Sequence, residues 1–221
     1  MVHFTLFGIP VYIRPSFWVV LAIFGGALSI SSVEDLIYPA LFVIAGFIAI
    51  LSHEMGHALV GRKLGGGQQT IVLELFGGLT SSHGMQLTRG GRALMILAGP
   101  MMTLLLGIIS LWLTWNIVAP VMTSYNLNFW DLAISPFTAA LISPKLYILS
   151  CLIMIGEWWT ILNLLPIYPL DGGQLIAQYI RSPRKVFMTG FITAILIGLL
   201  SFQLFHGYFI PIFMALFAYS N

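Results

Sequence analysis

Residues 36–51 carry no charge, and the run leads without a break into His53-Glu54-Met55-Gly56-His57. No other feature limits the folding of this chain as much. Extended to residue 61, the stretch is long enough to cross a bilayer as a helix, which takes about 20 apolar residues. Residues four apart on a helix share a face, so His53 and His57 can offer two imidazole nitrogens to one ion. Glu54, one position further round, can act on a water beside that ion. From the 5 histidines and 4 glutamates in 221 residues, a chance match to this spacing is expected on the order of 0.002 times. Ionisable groups at membrane depth are also costly without a partner or a pathway. A metal site therefore explains the motif better than two hydrogen-bonded helix histidines beside a stray glutamate.

Composition extends the membrane reading to the whole chain. Hydrophobic residues make up 59% and charged residues 7%, whereas a soluble domain is about a quarter charged. The apolar segments are continuous rather than alternating, which favours helices over a barrel. The expected architecture is an all-α polytopic membrane protein, a single membrane-embedded domain over 1–221 with six spans: 16–33, 36–61, 93–118, 145–165, 186–205 and a short 207–220. Residues 1–14 read as a strand or an interfacial segment, and 119–144 as a linker along the membrane surface. Between spans two and three, Gly65-Gly66-Gly67 stops the helix and Gly77-Gly78 interrupts a β-rich run. That piece reads as two short strands or a re-entrant hairpin. Non-helical backbone at membrane depth must be buried in protein or line a wet cavity. The piece is therefore expected to flank the metal site, where its edge can pair with an extended peptide. No removable signal peptide is expected, and Cys151 reads as a small packed hydrophobe. A net charge of +2 gives no reason to expect nucleic-acid binding.

The basic residues set an expected orientation. Six spans place Arg14, Arg62, Lys63, Arg89, Arg92, Arg181, Arg184 and Lys185 on the cytoplasmic side of the cell membrane, with both termini, and leave only Lys145 outside. His57 precedes Arg62 by five residues, so the motif lies roughly 8 Å inside the cytoplasmic boundary. Catalytic zinc takes three protein ligands and keeps one position for water. Depth removes Glu34, Asp35 and Asp131 as the third. Asp171, just past a proline break and beside Gly172-Gly173, is at the right level and is preferred; Glu74 stays open. Glu157 reads as a neutral, hydrogen-bonded carboxyl facing the bundle, with proton passage as its alternative role. His83 reads as a solvated loop residue, His3 and His206 as interfacial, Trp158-Trp159 as packing, and Gly99-Pro100 as close helix packing or a kink.

Taken together, His53-Glu54-Met55-Gly56-His57, Gly77-Gly78, Ala98-Gly99-Pro100 and the run Asn163-Leu164-Leu165-Pro166-Ile167-Tyr168-Pro169-Leu170-Asp171-Gly172-Gly173 resemble the site-2 protease family. These are intramembrane zinc metalloproteases, among them the sporulation-factor processing protease of bacilli. The resemblance covers about residues 36–185. It implies three core spans holding one zinc per chain, with Asp171 as third ligand and Asn163 close to the site. It also implies a transmembrane protein as substrate, cut in or near its membrane helix, and a regulatory membrane protein as a further partner. Neither the PDZ domain nor the CBS pair of many relatives is expected here, and Arg92 stands where many relatives carry an acid. On this reading Glu54 is the general base. Asn163 either donates its amide to the developing oxyanion or caps the broken end of span four. The rival from another class is a membrane metal-ion transporter using the same His/Asp cluster as a transit site.

Overall fold

In the computed structural model, residues 1–75, 77–84, 86–125, 128–180 and 182–205 are described, together with Pro211, Met214, Ala215, Phe217 and Ala218. The chain divides into two compact units, Met1–Thr160 and Ile161–Asn221.

The first unit is built on a sheet that local sequence only half announces. Strands β1 (Val2–Leu6), β2 (Ile9–Ile13), β3 (Gln68–Glu74) and β4 (Gly77–His83) lie in that order. The pairs β1/β2 and β3/β4 are antiparallel, and β2 runs parallel to β3 with Val11 opposite Ile71. The N-terminal hairpin turns through Phe7 and Gly8, at φ 50° and 74°, the left-handed pair that a two-residue turn matching strand twist requires. Arg62 donates from Nη1 to the Phe7 carbonyl at 2.7 Å and holds that turn. Side chains alternate across a strand, so Ile9, Val11, Ile13, Ile71 and Leu73 share one buried face. That face packs on Phe17 and Leu21 of helix α1 (Pro15–Phe24) and on Ile50, Leu51, Met55 and Ala58 of helix α2 (Ile37–Gly65). The sheet is thus laid against the half of α2 that carries the motif.

The expected span over 16–33 is not a continuous helix. Pro15 opens α1, where its missing N–H costs nothing. The helix ends after ten residues at Gly25, and Gly26 follows at φ 87°, where the chain turns out of helical geometry. Ten residues reach about half the distance across a bilayer. By contrast α2, at 29 residues, is about 44 Å long. Its end is marked by Gly66 and Gly67, both at positive φ, after Arg62 and Lys63, whose charges suit the helix C-terminus.

Helix α3 (Arg89–Tyr125) is longer than the expected 93–118 at both ends and contains Pro100 and Pro120. Two short helices follow, α4 (Phe129–Ile134) and α5 (Pro136–Ala140), capped by the side chains of Asn128 and Ser135. They pack apolar residues against their neighbours, Leu132 and Ala139 joining Val118 and Leu146. Helix α6 (Pro144–Leu164) follows. Gly56 of α2 sits directly on the Ala98 carbonyl of α3, so the two helices approach through a residue with no side chain. Thr103 of α3 and Thr160 of α6 bond hydroxyl to hydroxyl at 2.9 Å.

The second unit contains the last turn of α6, a loop, helix α7 (Asp171–Ala177) and helix α8 (Pro183–Phe205). Its loop doubles back tightly. A Cβ on Gly172 would strike the carbonyl oxygens of Leu164 and Leu165, and one on Gly173 would strike the Ile167–Tyr168 peptide. The Gly-Gly pair is what lets the start of α7 close onto the end of α6.

Among the described residues, four helices are long and apolar enough to cross a membrane: Glu34–Gly65, Arg89–Pro120, Pro144–Leu164 and Pro183–Gln203. They correspond to expected spans two to five. The expected sixth span, 207–220, lies largely outside the described residues, as do His206 and Arg181.

Candidate metal centre

His53 and His57 lie one turn apart on α2 and are 2% and 9% exposed. Their Nε2 atoms are 3.1 Å apart, with the rings edge to face. Two nitrogens bound at 2.0–2.1 Å to a tetrahedral zinc would stand about 3.3 Å apart, so the pair fits that ion. The tautomer of His57 follows from its other nitrogen. Nδ1 lies 2.8 Å from the Met95 carbonyl, which can only accept; Nδ1 therefore carries the proton and Nε2 keeps its lone pair for a metal. Room for that nitrogen comes from α3, because a Cβ on Gly99 would overlap His57 Nε2. Gly99 does more than set helix spacing. On the other side, the Trp159 ring packs edge-on to His53 with centroids 6.5 Å apart, and the same ring covers Gly77, where a Cβ would come within 2.6 Å of it.

Glu54 is buried, at 5% exposure, and β4 supplies its surroundings. The Thr80 hydroxyl donates to Glu54 Oε2 at 2.7 Å and lies 3.2 Å from the Glu54 carbonyl. Gly78 packs against the carboxyl group so closely that a Cβ there would collide with it. Alternation puts Gly78 and Thr80 on one face of β4, and that face is turned to α2. The expectation that the Gly77-Gly78 segment flanks the motif holds within this unit.

The second unit carries the other two expected site residues. Asp171 is the first residue of α7 and is 6% exposed; Asn163 is in the last turn of α6 and is 9% exposed. Two further expectations need correction. Glu74, the alternative ligand, is ion-paired instead, its carboxylate 2.7 Å from Arg14 Nη1 with both side chains substantially exposed. Glu157 does not face a bundle interior but is exposed on α6; a helix that is apolar nearly all round gives no stripe from which to read a facing. His83 ends β4 and is exposed, and His3 stacks on Tyr12.

Sequence reasoning did not single out Thr80, Met95 or the contact of Gly99 with His57. For Thr80 a signal was present, a Gly-x-Thr spacing that sets both residues on one face of a strand. For Met95 there was none, since the group involved is a backbone carbonyl.

A sequence profile of peptidase family M50 matches residues 41–205. A zinc metalloprotease of Methanocaldococcus jannaschii is 28% identical over 227 residues, 98% of this chain and 57% of that protein. A Synechocystis sp. protein is 28% identical over 188 residues, 80% of this chain and 43% of that protein. The chain thus spans about half the length of these two relatives. A solved structure of the site-2 protease from Methanocaldococcus jannaschii shares the fold with a TM-score of 0.62 at 23% identity, covering 99% of this chain and 92% of that one.

Proposed function

The chain belongs to peptidase family M50, and on that premise we propose that it is a zinc metalloendopeptidase that cuts membrane proteins in or beside a transmembrane segment. The observation that carries the reading is the pairing of two buried imidazole nitrogens 3.1 Å apart with a buried carboxylate next to them, on a helix of membrane-spanning length. A transporter gains no support from the family or the relatives.

His53 and His57 would hold zinc through Nε2, and Asp171 would supply the third bond. The donor set of two neutral imidazoles and a carboxylate is one that zinc accepts. Burial supports Asp171, because a carboxylate out of water needs a cation or strong donors. When bound, zinc supplies Lewis acidity for a scissile carbonyl and for the attacking water. Glu54 takes the proton from that water and returns one to the leaving nitrogen. Asn163 donates its amide to the substrate oxygen as it gains charge, a role worth about 3 kcal/mol where measured. A substrate helix must unwind to expose its carbonyl, and β4, the last strand of the sheet and beside Glu54, offers its outer edge to an extended strand.

We further propose a single membrane-embedded domain of six spans in the cell membrane. Both termini and the site lie toward the cytoplasm, with the bilayer and a regulatory membrane protein as partners. The lysine and arginine distribution supports that orientation.

The test uses purified chain, zinc-loaded in detergent, with a doubly tagged single-span polypeptide that carries a Gly-Pro step in its span. Wild type is expected to release both fragments and Glu54→Gln neither. Equal release by the two, or none by wild type, would contradict the reading.

A further inference from the structure

We infer that Thr80 is the positioning residue for the Glu54 carboxylate, fixing Oε2 so that Oε1 takes the proton from the attacking water. The inference rests on the protease reading above and extends it to a residue outside the HExxH motif. A glutamate side chain has three rotatable bonds, and a general base must be held within hydrogen-bond reach of its proton. In this site one oxygen is tied down. Oε2 accepts from Thr80 Oγ1 at 2.7 Å, a well-formed hydroxyl bond. Gly78 lies against the other oxygen, and having no side chain it leaves clear the space beside Oε1 that a Cβ would fill. Both residues come from β4, whose seven positions pair with β3 from Gln68↔His83 to Glu74↔Gly77. The sheet in turn packs on α2 through Met55, inside the motif, and Ala58, just after it. Thr80 is β-branched and therefore stiff at χ1. Its hydroxyl is presented by a rigid strand to a carboxylate on a rigid helix, which is what a precise proton acceptor needs.

A competing explanation is mechanical. Thr80 Oγ1 also lies 3.2 Å from the Glu54 carbonyl, so the residue could simply fasten β4 to α2. The two roles separate in Thr80→Val, which keeps the shape and removes the donor, and Thr80→Ser, which keeps the donor. Both are assayed with the tagged single-span polypeptide, alongside zinc content and melting in detergent. Positioning predicts that Thr80→Val loses roughly 10- to 100-fold in kcat, with KM within about twofold and zinc and melting unchanged. Thr80→Ser should stay within about threefold of wild type. The inference is overturned if Thr80→Val cleaves like wild type, if Thr80→Ser is as impaired as Thr80→Val, or if the defect appears in KM, zinc content or melting. Failure of the protease reading looks different, because wild type would then release no fragments or Glu54→Gln would release as many.

Discussion

Helices α2 and α8 are both apolar enough and long enough to cross a membrane, yet they meet their surroundings in opposite ways. From Ala45 to Gly61, α2 is buried on nearly every side of its second half, including all six positions from His53 to Ala58. Helix α8 buries only a narrow stripe, Val186, Gly190, Ala194, Gly198 and Ser201, and exposes Phe191, Ile192, Ile195, Leu196, Leu199 and Leu200. Apolar character alone does not distinguish a span buried around a polar motif from one exposed on most of its surface. What differs is the use of small residues. In α2 they admit backbone, and through Gly56 the Ala98 carbonyl touches the helix. In α8 a Cβ on Gly198 would reach only ordinary contact with Met214 and Pro211. Close approach in lipid depends on such residues, and it is what lets α3 present Gly99 and Met95 to His57.

The same substitution can break this contrast. Gly56→Ala should have the largest effect, about 3 kcal/mol of destabilisation, because its Cβ meets backbone of Ala98 that cannot step aside. Thermal melting in detergent measures it, and a variant as stable as wild type would remove the contrast. Gly99→Ala should act on the metal more than on the fold, since its Cβ overlaps His57 Nε2. Zinc affinity, measured by competition with a chelator, is expected to fall roughly 10- to 100-fold; unchanged affinity would show that α3 does not shape the site. Gly198→Ala, in α8, should be the mildest. Its Cβ would meet Met214 Cβ at 3.4 Å and nothing nearer, and alanine favours a helix over glycine by up to about 1 kcal/mol. Melting should rise slightly or stay level, with cleavage unaffected. A loss equal to that of Gly56→Ala would mean the two spans are packed alike.

The sequence disclosed what depends on local spacing. His53, Glu54 and His57 were legible because a helix turns every 3.6 residues and lipid penalises unpartnered polar groups. The close of α2 at its glycine run and that of α6 before Pro166 follow from Gly, Pro and charge. Pairing across distance was not legible. Nothing in residues 9–13 says that they will lie parallel to residues 68–74, more than 50 positions away, and so a four-stranded sheet was read as a hairpin with an uncertain lead. The first span was overextended because Gly25-Gly26 can sit inside a helix or end one, and only the turn at Gly26 decides. Glu157 was misplaced because the apolar helix around it carries no polar face. For Thr80 the shared face with Gly78 is legible, but the hydroxyl takes its role only from what the strand faces, the Glu54 carboxyl.

The central claim is that Glu54 is a base and not a ligand, while Asp171 completes the set begun by His53 and His57. Zinc content per chain, measured on purified Glu54→Gln and Asp171→Asn beside wild type, tests it most directly. Glu54→Gln is expected to keep wild-type zinc without cleaving, and Asp171→Asn to lose much of its zinc. Zinc loss in Glu54→Gln, or full zinc in Asp171→Asn, would contradict it.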